Sequence, residues 1–107
     1  MQKLSDLIDA GIGDTEQCYG KYFSYDHWGD KVIGCCAMGA AYRGLTGIDN
    51  YDWVTLVAVI GYDPTSLIFG ESLYGATITL FDIITELNDK ARWTREAIAA
   101  WLRSIGL

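Results

Sequence analysis

Five residues of this sequence carry side chains that could take part in catalysis. Cys35 and Cys36 stand at the predicted start of a helix, where the partial positive charge of the helix end favours a thiolate. His27 is the only imidazole, and it lies across a predicted hairpin from the two cysteines. Asn88 or Asp89 could orient that imidazole and complete a Cys–His–Asn or Cys–His–Asp arrangement. Such a set would support nucleophilic attack by a thiolate.

The same residues also have a purely structural interpretation, which we favour. Free cysteine commonly behaves as a small apolar side chain that fills a core, so Cys35 and Cys36 are expected to pack inside the protein. Asn88 tolerates the left-handed conformation that ends a helix, and Asp89 can accept backbone hydrogen bonds in the turn that follows. A thiol-dependent enzyme or small-ligand binder centred on Cys35 remains the alternative.

Metal ligands are present in the sequence, but their spacing is poor. Cys18, His27, Cys35 and Cys36 are the possible zinc ligands, yet adjacent cysteines seldom bind one zinc ion and no Cys-x-x-Cys pair exists. The acids and amide within 49–52 lack the glycine and distal glutamate of a calcium loop, and helix capping explains them. We therefore expect no metal and no cofactor.

Aromatic residues are concentrated in the predicted hairpin. Tyr and Trp are enriched at protein interfaces, and a hairpin with this many aromatic residues can rarely bury every ring. Tyr22, Tyr25, His27 and Trp28 are therefore the predicted interaction surface, for a protein partner or for self-association. The alternative is that one face of the hairpin packs inward and the other is ordinary amphipathic surface.

Hydrophobic spacing predicts the elements that position these residues. A short helix over about 4–11 opens the chain and ends at glycine. A β-hairpin follows at about 19–34, with its tip near 26–30, because strand-forming residues flank a run of turn residues. The central helix is predicted at about 36–45, and its small residues let neighbouring helices approach closely.

Further helices are predicted in the second half of the chain. An apolar stripe runs over 53–60, and Asp-Pro begins a short turn of helix over 64–69. Many β-branched residues lie within 76–87, but the helical period persists for three turns, so we expect a helix there. The last helix is predicted at about 95–105, with Thr94 as its N-cap.

Size and composition set the fold class. The chain has 107 residues, of which 50% are apolar, so it is long enough for one domain with a substantial core. We expect a mainly α fold, a single small globular domain over 1–107 with four to five helices and one β-hairpin.

Charge and hydropathy exclude several classes of function. The formal net charge of −6 repels phosphate backbones, so we expect no nucleic-acid partner. The sequence has no apolar run of membrane-spanning length and no signal peptide, which predicts a cytoplasmic protein that does not bind membranes and keeps its thiols reduced. The function expected is a non-enzymatic protein-interaction module, with a homodimer as one form of it.

Two stretches of the chain resemble a group of small uncharacterised bacterial and bacteriophage proteins. The stretches are C-C-A-M-G-A-A at 35–41 and L-N-D-K-A-R-W-T-R-E-A-I-A-A-W at 87–101. In that group a Cys-Ala-x-Gly-Ala segment precedes an Asn-Asp pair, Trp-Ser/Thr-x-Glu and a final amphipathic helix. Some members carry a histidine near the Asn-Asp pair, where this chain has Lys90 and Arg92. The resemblance implies no activity.

Overall fold

The computed structural model describes all residues, Met1–Leu107, and contains five helices and five strands. In chain order the elements are α1 (Leu4–Ile12), β1 (Glu16–Gln17), β2 (Phe23–Tyr25), β3 (Val32–Cys35), α2 (Ala37–Thr46), α3 (Trp53–Ile60), β4 (Ile68–Glu71), β5 (Thr77–Thr79), α4 (Leu80–Asp89) and α5 (Arg95–Ser104). The strands form two small sheets, so the fold is α+β. The prediction of a mainly α domain with one β-hairpin is therefore wrong.

The first sheet contains the predicted hairpin and one additional strand. β2 and β3 pair antiparallel, with Phe23 opposite Cys35 and an irregularity between Ser24 and Tyr25. β1 pairs with the other edge of β3 in a parallel register that sets Gln17 opposite Cys35. The strand order is thus β1-β3-β2, and β3 is the central strand.

The second sheet lies in a part of the chain for which helices were predicted. β4 begins inside the helix predicted over 64–69, and β5 lies near the start of the helix predicted over 76–87. The two strands pair antiparallel. Thr79 explains where the helix can start: its side chain accepts from the Asp82 amide at 3.2 Å, and the Asp82 carboxylate accepts from the Thr79 amide at 3.0 Å. The N-cap of such a capping box has extended backbone, so α4 cannot reach back to residue 76.

The core is built around a close crossing of α1 and α2. Gly11 of α1 lies against the backbone of Ala40, and Gly44 of α2 lies against the backbone of Leu7. A Cβ atom at either glycine would collide with a carbonyl oxygen of the other helix. The close contact therefore requires glycine at both positions.

α5 closes the domain by lying along α1. Thr94 caps it by accepting a hydrogen bond from the Ala97 amide at 3.1 Å, and its apolar face is buried. Arg103 pairs with Asp6 and Asp9 at 3.1 and 2.7 Å, although these exposed ion pairs add little stability. The longest helices have ten residues, and none is long and apolar enough to cross a membrane.

The α1–α2 crossing predicts a large effect for one added methyl group. Gly44→Ala should lower the free energy of unfolding by about 1–3 kcal/mol or more, because the Cβ overpacks a backbone contact. Alanine's better helix propensity, about 1 kcal/mol, acts in the opposite direction. Urea unfolding measures the difference. Gly70→Ala is the control, since its Cβ would meet no atom within 4 Å, and similar stabilities for the two variants would contradict the crossing.

Candidate functional site

The start of α2 lies inside the protein, and side chains satisfy its backbone donors. Cys36 is the N-cap residue, and its sulfur accepts a hydrogen bond from the Gly39 amide at 3.3 Å. The Ala37 amide donates to Oδ1 of Asn88 at 3.1 Å. The first amides of a helix lack partners within the helix, so these two contacts allow its start to be buried.

Asn88 joins three segments, namely residues 17–18, the start of α2 and the end of α4, through one carboxamide. Its Oδ1 also accepts from Nε2 of Gln17 at 2.9 Å, while its Nδ2 donates to the Cys18 carbonyl at 3.0 Å and to Asp89 Oδ1 at 2.8 Å. The side chain is 2% exposed, and these bonds use both donors and both acceptor positions of the amide. No hydrogen-bonding capacity is left for a substrate.

The sequence had suggested that Asn88 ends its helix, but the structure shows that it does not. α4 continues through Asp89, and the residue with left-handed backbone is Arg92, at φ 55°. Asp89 does bond to backbone, but across the fold: its Oδ1 accepts from the Gly20 amide at 3.0 Å. Both residues therefore tie α4 to the segment after β1.

A second polar cluster surrounds Cys35. The Arg95 guanidinium, which is buried at the first turn of α5, donates to the Cys35 carbonyl and sulfur, each at 3.2 Å. It also donates to the Thr15 hydroxyl at 2.8 Å and the Thr15 carbonyl at 2.7 Å, while the Glu16 carbonyl accepts at 3.3 Å. Cys35 is fully buried inside this cluster, so it offers no surface to a substrate.

The other two thiols are held in their protonated form. Burial raises the pKa of Cys36 to about 12, and this outweighs the Gly39 hydrogen bond, which acts in the opposite direction. Burial and the neighbouring Cys35 raise the pKa of Cys18. Because the thiolate is the nucleophile, neither group is activated at neutral pH.

The structure separates the imidazole from the other candidate residues. His27 is exposed in the turn between β2 and β3, and its ring lies edge-on to Trp28 at 5.1 Å between centroids. Cys36, Asn88 and Asp89 do come together and line one cavity, but His27 does not line it. No group of three His, Cys, Asp or Glu side chains could hold a metal ion.

The predicted interaction surface is divided between the core and the exterior. Tyr22 is half-buried, and its ring packs against the rings of Tyr42 and Tyr51 at 5.6 and 5.2 Å. The Tyr25 hydroxyl donates to the Asp49 carboxylate at 2.7 Å, which raises the pKa of Tyr25 to about 12. Trp28 is 79% exposed at the tip of the hairpin. Only the hairpin tip is therefore free for a partner.

The cavity beside Asn88 has a volume of about 200 Å³ and opens to the surface. It lies between the segment 20–22, the start of α2 and one face of α4. Its lining comprises Gly20, Lys21, Tyr22, Cys36, Ala37, Met38, Phe81, Ile84, Thr85, Asn88 and Asp89. The sequence placed Cys36, Asn88 and Asp89 among the candidates, but it did not indicate the apolar walls that surround them.

Arg95, Thr15 and Gln17 were missed as site residues. Arg95 had one recognisable signal: it directly follows the Thr94 cap, where a positive charge opposes the helix dipole and therefore suggests another role. Thr15 and Gln17 gave no such signal, because the residues that make them part of the two clusters, Arg95 for Thr15 and Asn88 for Gln17, lie more than 70 positions away in the chain.

No family model matches this chain, and the curated proteins and solved structures compared with it include no match either.

The Asn88 network predicts a stability effect that a surface residue would not have. Asn88→Ala should lower the free energy of unfolding by about 2–6 kcal/mol, because it leaves the Ala37 amide and the Cys18 carbonyl buried without partners at about 1–3 kcal/mol each. Asn50→Ala, at an exposed position, is the control. Equal thermal stability of the two variants would contradict the structural role of Asn88.

Thiol chemistry gives a second prediction. All three cysteines are buried, so the native protein should react with iodoacetamide at neutral pH far more slowly than glutathione does. In urea the same cysteines should react at the rate of free thiols, which serves as the internal control. A cysteine that reacts faster than glutathione in the native protein would instead support a thiol-dependent enzyme.

Proposed function

We propose that this chain is a non-enzymatic protein-interaction module that associates with a second copy of itself through α3. The observation that carries the proposal is the composition of α3, W-V-T-L-V-A-V-I, which has no charged residue although one side of the helix faces solvent. Val54, in the first turn of the helix, is 80% exposed. A helix that is apolar all round is normally buried.

The exposed side of α3 belongs to a larger apolar area, here called the α3 face. Tyr51, Val54 and Ala58 follow helical spacing and are exposed, while Leu56 and Ile60 on the opposite side are buried. The α3 face consists of Met1, Ile48, Tyr51, Val54 and Ala58. Met1 belongs to it because its side chain lies over Gly61 at the end of the helix. Exposed apolar side chains that accompany one uncharged helix in this way support an interaction site.

The distribution of charge favours a second copy as the partner. Asp52 lies at the start of α3, and hydrogen bonds from Thr55 lower its pKa, so it stays ionised. Lys3 lies near the end of α3, because the amide of the preceding Gln2 donates to the Val59 carbonyl at 3.2 Å. A two-fold axis that pairs the helices antiparallel brings the acidic end of each copy towards the basic end of the other.

The overall charge supports the same contact. Two chains with a net charge of −6 repel each other over most of their surfaces, so the uncharged α3 face is where they can approach. An enzymatic function has less support, because Asn88 is fully bonded and Cys35 is enclosed.

A charge placed on the α3 face should abolish association. Wild-type protein should show the mass of a dimer that dissociates on dilution, while Val54→Glu should remain a monomer over about 1 μM to 1 mM, because each interface would bury an unpaired carboxylate. Sedimentation equilibrium or light scattering measures the mass.

Leu73→Glu is the matched control, since Leu73 is fully exposed in the turn between β4 and β5, away from the α3 face. It should keep the wild-type mass. Thermal melts verify that both variants are folded. A wild-type protein with the mass of one chain at every concentration would overturn association with a second copy, and so would dimers that are unaffected by Val54→Glu.

A further inference from the structure

The cavity between α2 and α4 has apolar walls of useful size. Ala37, Met38, Phe81 and Ile84 form the apolar part, and the volume is about 200 Å³. An apolar protein cavity of about 150 Å³ is large enough to bind benzene. The cavity is open to solvent, and Ala37, Met38 and Ile84 are almost fully covered by the protein. An apolar group of the size of a leucine side chain would therefore lie chiefly against Tyr22 and Phe81.

One carboxylate oxygen at this cavity is fixed in place and free to bind. The Oδ1 atom of Asp89 accepts hydrogen bonds from the Gly20 amide at 3.0 Å and from Asn88 at 2.8 Å. Its Oδ2 atom has no partner within the protein, although Asp89 lines the cavity. Because Oδ1 is held at two points, Oδ2 is a pre-oriented acceptor for a cation.

A positive charge lines the same cavity without neutralising that carboxylate. Lys21 is exposed, and the ion pairs of the protein join other residues, so Lys21 and Asp89 are not paired. Opposite charges thus flank an apolar cavity and remain separated from each other. A ligand that carries both charges and an apolar group would satisfy all three features.

Simple anions fit this cavity less well. The helix amides that usually bind phosphate are already occupied, since the Ala37 amide donates to Asn88 and the Gly39 amide donates to Cys36. The Asp89 carboxylate would also repel an anion. The ligand therefore needs a positive group.

We propose that this cavity binds a free amino acid with an apolar side chain. Its ammonium group donates to Oδ2 of Asp89, its carboxylate accepts from Lys21, and its side chain lies against the partly exposed rings of Tyr22 and Phe81. Binding is non-covalent, because the Cys36 thiol stays protonated. No residue of the α3 face lines the cavity, so the inference goes beyond the association proposed above.

Calorimetric titration with four probes tests each part of this ligand. L-Leucine should bind the full-length protein. Leucinamide lacks the carboxylate and 4-methylpentanoate lacks the ammonium group, so each should bind at least about tenfold more weakly, as expected for a lost charged hydrogen bond. Glycine, which keeps both charges but has no side chain, should also bind at least about tenfold more weakly.

Variants assign the two charges. Asp89→Asn keeps an oxygen for the Gly20 amide, and Lys21→Met removes an exposed ammonium, so each should weaken L-leucine binding about tenfold or more. Lys90→Met is the control, because Lys90 pairs with Glu86 outside the cavity. Thermal melts accompany every titration, and Lys21→Met keeps the test decisive if Asp89→Asn fails to fold.

Several results would overturn the proposal. One is the absence of both heat and chemical-shift change at the cavity with about 1 mM L-leucine. Another is an affinity for any of the other three probes that equals the affinity for L-leucine. The third is an affinity of Lys21→Met for L-leucine that equals that of the wild type. Sedimentation of the same samples keeps the two proposals apart, since a protein can dimerise without binding leucine and can bind leucine as a monomer.

Discussion

The buried start of α2 is the constraint on which the rest of the structure depends. The first amides of a helix have no partners within the helix, and burying them unpaired is costly. Here α4 supplies the missing acceptor through Asn88, and Cys36 supplies another from its own side chain. The same carboxamide then binds Gln17 and Cys18, so the first sheet, α2 and α4 are fixed relative to one another.

Arg95 connects α5 to the first sheet and to the residue that precedes that sheet. Its charge is buried among neutral acceptors of Thr15, Glu16 and Cys35, without a carboxylate partner, which guanidinium tolerates because it is weakly hydrated and has many donors. The stretches 35–41 and 87–101 are therefore joined through two pairs of residues, Asn88 with Ala37 and Arg95 with Cys35. Residues that suggested catalysis in the sequence have structural roles here.

The sequence predicted those features of the fold that depend on interactions between residues close together in the chain. The Thr94 cap was predicted, and of the two acids that the sequence offered as the cap of α3, Asp49 and Asp52, the structure uses Asp52; both caps act within three residues. The strands β4 and β5 have only four and three residues, too few for alternation to outweigh a helical period that runs through the same segment. At the site, Cys36, Asn88 and Asp89 were recognisable as polar or reactive groups, but their convergence depends on contacts between residues more than 50 positions apart. His27 was also recognisable as a reactive group, but it does not join the others, because it lies exposed in the hairpin turn.

Two aromatic contacts join the cavity to α3 and to the α3 face. Tyr22 lines the cavity, and its ring packs against that of Tyr51 in the α3 face, with 5.2 Å between centroids. Phe81 lines the cavity, and its ring lies edge-on to Trp53, the first residue of α3, with 6.1 Å between centroids. A ligand in the cavity can change self-association only if it favours a position of Phe81 in which α3 packs differently. Linkage then requires that association change the affinity for the ligand by the same factor. Coupling between the two proposed sites would therefore have to pass through the Phe81–Trp53 and Tyr22–Tyr51 contacts, and it requires that these rings have two packing arrangements.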